Sequence, residues 1–281
     1  MIAVASPTHF DVIPLAELRA QFGLAGARAV LLVGSRTEDD YPGSDTDFLG
    51  LFDRDADVPR AIGHAGAVSM TNTFGESWIG WAGEEEVNVV TVSAEAVRRT
   101  AAPLAAPLSA TRAPALQPLE VVLLHRIHTG TPVDGHDYVA ELRAGLRLDR
   151  LPTAVFALYH ISAAGHLKRA RMLAGAGDRL GFLSLMNAVT SGVGIATLSM
   201  YGRVAGSVKK IAPGLAVLER AHLDIPVRSS DLALMMSSAD DVLRLEIAGA
   251  ALDRLAAAAR LRAEHGDPLW DEAWRSLAAL G

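Results

Sequence analysis

The chain has 281 residues and no cysteine, which excludes disulfide staples, thiolate nucleophiles and thiolate metal ligands. A reducing cytoplasm is the expectation that follows. Lysine is scarce, occurring only at Lys168, Lys209 and Lys210. The opening MIAVASPTHFD lacks a basic start followed by a long apolar stretch, so it does not have the pattern of a signal peptide. No apolar run reaches about 18 residues, and neither a membrane span nor a membrane partner is expected. No repeat or low-complexity segment is present. Basic excess is missing too, since the formal net charge is −6. Proteins that bind long RNA or DNA need a basic footprint, so such a ligand is not expected.

The total charge conceals a division. Residues 1–138 hold 9 Lys/Arg against 18 Asp/Glu, a balance of −9, whereas residues 139–281 hold 17 against 14, a balance of +3. The first part would collect cations, and the second could face phosphates. Acidic surface also attracts polycationic small molecules. Half the residues are hydrophobic, enough for one large core or two medium ones.

The most informative stretch is Arg28 to Phe52. Ala29 to Val33 (AVLLV) and Phe48 to Phe52 (FLGLF) are apolar runs of strand length. Between them lie Gly34-Ser35-Arg36, an acidic turn-rich segment (TEDDYPGS) and Asp45-Thr46-Asp47. Side chains two apart in a strand share a face, so Asp45 and Asp47 are expected together where the second strand begins. Paired carboxylates repel unless a cation intervenes, and hard divalent ions such as Mg²⁺ take oxygen ligands. Gly34 permits close backbone approach to a ligand, and Ser35 offers a hydroxyl and an amide to a phosphate. A strand is expected at Glu85 to Val92, then a helix capped by Ser93. A hairpin is expected from Ala67–Thr71 and Ser77–Trp81, and an opening helix over Ile13 to Phe22. Pro103 to Pro118 reads as an irregular connection and Leu119 to Ile127 as a helix. His125, His128 and His136 read as ordinary surface histidines.

From Tyr138 onward the pattern is helical. The expected helices cover residues 138–146, 153–174, 180–201, 207–223, 239–264 and 268–280. Six helices without strands suggest an antiparallel bundle. The 183–201 segment is dense in Ala, Gly, Ser and Thr, which suits close packing.

The spacing Gly34-Ser35, nine residues, Asp45-Thr46-Asp47 resembles the signature of the DNA polymerase β-like nucleotidyltransferase superfamily, in its minimal and antibiotic-modifying branches. The resemblance implies an α+β fold: a nucleotidyltransferase domain over residues 1–138, with a mixed sheet flanked by helices, and an all-α bundle over residues 139–281. It implies transfer of a nucleoside monophosphate from a nucleoside triphosphate, ATP first, to a hydroxyl. One or two Mg²⁺ would lie on Asp45 and Asp47. Gly34, Ser35, Arg36 and Ser44 would bind the nucleotide, with Lys209 and Lys210 from the helical part facing its phosphates. The superfamily's third carboxylate has its matching slot at Asn88, a departure. Glu86, two residues earlier on the same face, could supply the charge and act as base, with Asn88 as a weak ligand. Glu141, Glu219 and Glu246 are the helical-part alternatives. The acceptor stays open between a small hydroxylated molecule such as an antibiotic, a protein hydroxyl and RNA. A catalytically degenerate module that binds nucleotide or a partner is the competing expectation.

Overall fold

The computed structural model describes residues 14–34, 46–59, 68–71, 74, 76–82, 85–108, 116–205, 208–221 and 224–278. The chain divides into two compact units, one formed by Met1–Arg99 with Arg126–Gly145 and the other by Thr100–His125 with Leu146–Gly281.

The first unit is built on a mixed six-stranded sheet. Its strands are β1 (Ala29–Val33), β2 (Thr46–Phe52), β3 (Val68–Thr71), β4 (Glu76–Ala82), β5 (Glu85–Ser93) and β6 (Thr131–Asp134), arranged β3-β4-β5-β2-β1-β6. Only β2 and β5 run parallel, and every other pair is antiparallel. All five side chains of β1 are buried, as its unbroken apolar text requires of a strand covered on both faces. Val30, Leu32, Phe48, Phe52, Val87 and Val89 turn to one face. There they meet Leu18 and Phe22 of the helix α1 (Leu15–Gln21) and its sequel, together with Leu24 and Trp78. Alternation sends Leu31, Val33, Asp47 and Asn88 to the opposite face. The end of α3 (Pro118–Thr129) approaches that face: a Cβ at Gly130 would lie 2.8 Å from Val33 Cγ1 and 3.1 Å from Leu31 Cδ2.

Two elements differ from what their local sequence suggests. Thr131–Asp134, which no expected element covered, is the edge strand β6, paired with β1. Pro132 is tolerated because an edge strand has one row of amides without a ladder partner. The helix α2 (Ala94–Ala105) runs through Pro103, where an irregular segment was expected. Its start agrees with expectation, since Ser93 Oγ accepts from the Ala96 amide at 2.9 Å.

Arg19 ties α1 to β6. Its guanidinium donates to the carbonyls of Leu24 and Ala27 at 2.9 and 3.1 Å and to the Asp134 carboxylate. Arg19, helped by the Gly135 amide, holds the Asp134 carboxyl below the usual carboxylate range against a smaller opposing effect of burial. The unfolded chain therefore takes up this proton at a higher pH than the folded one. The stabilisation is complete above the unfolded value, ~3.9, and is lost as pH falls through the lower folded value. Asp134→Asn is expected to lower the urea midpoint slightly at neutral pH and to flatten its fall below about pH 4.

The second unit is helical in its described C-terminal part. α5 (Leu151–Gly175) and α6 (Arg179–Met200) form a hairpin joined at Gly177, where φ is +75°. Asp178 caps α6 by accepting from the Gly181 amide at 3.0 Å. α7 (Ile211–Ala221), α8 (Ser229–Ser237), α9 (Asp241–Glu264) and α10 (Pro268–Ala278) follow, and α4 (His136–Ala144) belongs to the sheet unit. Small residues bring neighbours close to α6: a Cβ at Gly192 would lie 3.0 Å from Ala163 Cβ of α5, and one at Gly194 would overlap Ile211 of α7. Among the described residues α6 is the one helix long and apolar enough to cross a membrane, with mean hydropathy 1.4. Every residue from Gly192 to Met200 is nonetheless buried in the protein, as in a helix at the centre of a bundle.

α8 was absent from the expected helices. Its sequence, SSDLALMMS, is short, and its start is secured from elsewhere. Glu219 of α7 accepts from the Ser229 amide at 2.6 Å and its hydroxyl at 2.8 Å.

Candidate active site

The chemistry-bearing residues converge at the end of β1. In the antiparallel pairing of β1 and β2, Val33 faces Asp47, and in the parallel pairing of β2 and β5, Asp47 faces Asn88. The adjacent position on β1, Gly34, has φ +81°. A Cβ there would overlap Asp47 Oδ2 and lie 3.0 Å from Asp47 Cγ. Gly34 was expected to let its backbone approach a ligand; the group packed against it is the Asp47 carboxylate of the Asp-x-Asp motif. The strand begins at Thr46, so Asp47 is held by two neighbouring ladders rather than preceding them.

A residue outside the sequence expectations completes the cluster. Arg126, in the last turn of α3, places Nη2 3.6 Å from Asp47 Oδ1. The two side chains retain 24% and 16% of their exposure, so the pair is screened from bulk water yet reachable. At this distance the contact is Coulombic rather than a directional hydrogen bond. The helix end that carries Arg126 is fastened. The Gly130 amide donates to the Arg126 carbonyl at 2.9 Å, and Arg143 donates to the carbonyls of Ile127, at 2.7 Å, and Gly130.

Glu86 lies two residues before Asn88 on β5, opposite Trp81 of β4, and is half-buried. Alternation puts it on the same face as Asn88 and Asp47. Ser35, Arg36, Ser44 and Asp45 lie outside the described residues. Lys209 and Lys210 lie in the helical unit, on a short 3₁₀ turn before α7, where Lys209 is exposed and Lys210 half-buried. Of the helical-part alternatives, Glu141 belongs to α4 and so to the sheet unit. Glu219 is committed to the start of α8. Glu246 is exposed on α9.

The donor set suits a hard divalent cation in part. Asp47 offers carboxylate oxygens and Asn88 a carboxamide in register beside it. Among the described residues no group of three or more His, Asp or Glu side chains could hold a metal ion. His125 is buried rather than on the surface, while His128 and His136 are exposed.

A second polar cluster lies at the other end of these strands. Tyr138 donates to Asp53 Oδ1 at 2.8 Å, Arg28 Nε stands 3.6 Å from Asp53 Oδ2, and the Arg28 guanidinium sits 5.5 Å from the Tyr138 ring centre. Burial, then the bond to Asp53, pushes the Tyr138 hydroxyl up to about 12. It stays protonated through the neutral range and acts as a fixed donor.

No protein-family model matches the chain, and no curated protein matches it. Among solved structures the chain is similar to a nucleotidyltransferase-like protein from Exiguobacterium sibiricum 255-15, with TM-score 0.42 and 14% identity over 86% of this chain and 73% of that one.

Proposed function

We propose that the chain is a Mg²⁺-dependent nucleotidyltransferase that moves a nucleoside monophosphate from a triphosphate, ATP first, to a hydroxyl of a small molecule. One observation carries this reading: the Asp47 carboxylate is packed against Gly34 where β1, β2 and β5 meet, in register with Asn88. A turn-forming motif without a ligand has no need to direct an acid onto a positive-φ glycine between two ladders. Asp45 and Asp47 would hold the metal, with Asn88 and Glu86 beside them. The ion would supply charge neutralisation on the triphosphate oxygens and orient them.

The protein's own groups do the rest. Gly34 and Ser35 cradle the terminal phosphates, Ser44 adds a hydroxyl, and Arg36 offsets the charge that develops on them. The acceptor oxygen bonds to the α-phosphorus as the bond to pyrophosphate breaks, and Glu86 takes the acceptor proton. The acidic balance of the first 138 residues favours a cationic small acceptor over nucleic acid.

The test incubates the chain with Mg²⁺, all four triphosphates and an acceptor library, and reads pyrophosphate release and acceptor mass. A nucleotide-monophosphate mass gain with stoichiometric pyrophosphate is the expected result. Metal-dependent nucleotide binding with no pyrophosphate from any acceptor would favour a binding module. Asn88, an amide in register with Asp47 where the superfamily's pattern puts an acid, is the observation on that side.

A further inference from the structure

We infer that Arg126 is a positioning residue that makes metal binding conditional on the triphosphate. The inference rests on the reading of Asp47 as a metal ligand. A divalent cation on the Asp47 carboxylate, whose Oδ1 faces the Arg126 guanidinium at 3.6 Å, is repelled by that guanidinium at short range. A cation arriving alone therefore binds against this repulsion or has to push the Arg126 head aside. A cation arriving with a triphosphate brings the replacement, since the phosphate oxygens accept the displaced guanidinium.

The local architecture suits such an exchange. The backbone of the α3 end is held by the Gly130 amide and by Arg143, so the arginine stem keeps a fixed origin. Among the described residues its head makes a loose Coulombic contact with Asp47, and the long side chain can move its charge several ångströms without disturbing the helix. Ligands coupled in this way strengthen one another reciprocally.

Mn²⁺ serves as the probe, with free ion read by electron paramagnetic resonance, in the presence and absence of a methylene-bridged ATP analogue. Arg126→Met and Arg126→Gln are expected to bind Mn²⁺ alone about tenfold more tightly than the wild type. They should also lose most of the strengthening that the analogue gives the wild type. Arg126→Lys keeps the charge and should bind Mn²⁺ as the wild type does, and Asp47→Asn should lose this binding. Wild-type Mn²⁺ affinity in both neutral variants, with binding still lost in Asp47→Asn, would overturn the role of Arg126 and leave the site standing. Unchanged Mn²⁺ binding in Asp47→Asn would remove the site and the inference together. The Gln variant, with its shorter polar side chain, keeps the comparison available if the Met variant fails to fold.

Discussion

Asp47→Asn is expected to cut nucleotidyl transfer by about a thousandfold, ~4 kcal/mol of transition-state stabilisation, while leaving the fold intact. The reasoning separates two environments of one side chain. Among the described residues, Asp47 contributes to folding a strand position and a Coulombic contact with Arg126, and partly exposed ion pairs are worth about 0–1 kcal/mol. Asn keeps the size and the packing against Gly34, so the unfolding midpoint should move little. For chemistry, the substitution removes the charge that opposes the cation and replaces a strong oxygen ligand with a weak one. Steady-state pyrophosphate release, set beside urea unfolding of the same preparations, measures both. A variant that loses stability and turnover in parallel would recast Asp47 as a structural acid. One that keeps turnover would end the proposed chemistry.

Local text and long-range pairing divided the readable from the unreadable. β1 and β2 could be read directly, because unbroken apolar runs of five residues with glycine or acidic turns at their ends have few other uses. The long helices α5, α6 and α9 carried their own periodicity, and the small residues of α6 announced the close contacts made by Gly192 and Gly194. What failed depended on neighbours. Thr131–Asp134 is a strand because β1 leaves an edge to pair with, and nothing in TPVD says so. α8 exists because Glu219, ten residues before Ser229, supplies a partner for its first amide.

The site shows the same division. Gly34, Asp47, Asn88 and Glu86 could be named from spacing because each lies on, or just past the end of, a strand whose period fixes the face. Arg126 could not, since its partner is 79 positions away and the meeting depends on how α3 ends over the sheet. Arginine in the last turn of a helix is so ordinary a companion of the helix dipole that it signals nothing by itself.

Gly34→Ala offers a test in which strain and function separate. Two costs are combined at this position. An L-residue at φ +81° costs ~1–2 kcal/mol, because its Cβ crowds the backbone. That same Cβ would occupy the place of Asp47 Oδ2, so the carboxylate has to turn away. The first cost falls on folding, the second on the site. Gly202, with φ +73° and nothing among the described residues within 4 Å of its Cβ position, carries the first cost alone. Both alanine variants are therefore expected to lower the thermal midpoint by a few degrees, the shift that ~1–2 kcal/mol gives in a chain of this size. Only Gly34→Ala should lose transfer activity, by about a hundredfold, the scale on which misplacing a positioned group acts. Mn²⁺ titration of the pair should follow the same division, with Gly202→Ala binding as the wild type. Equal losses of activity in both variants would trace the defect to backbone strain, and Asp47 would then owe nothing to the space that Gly34 leaves open.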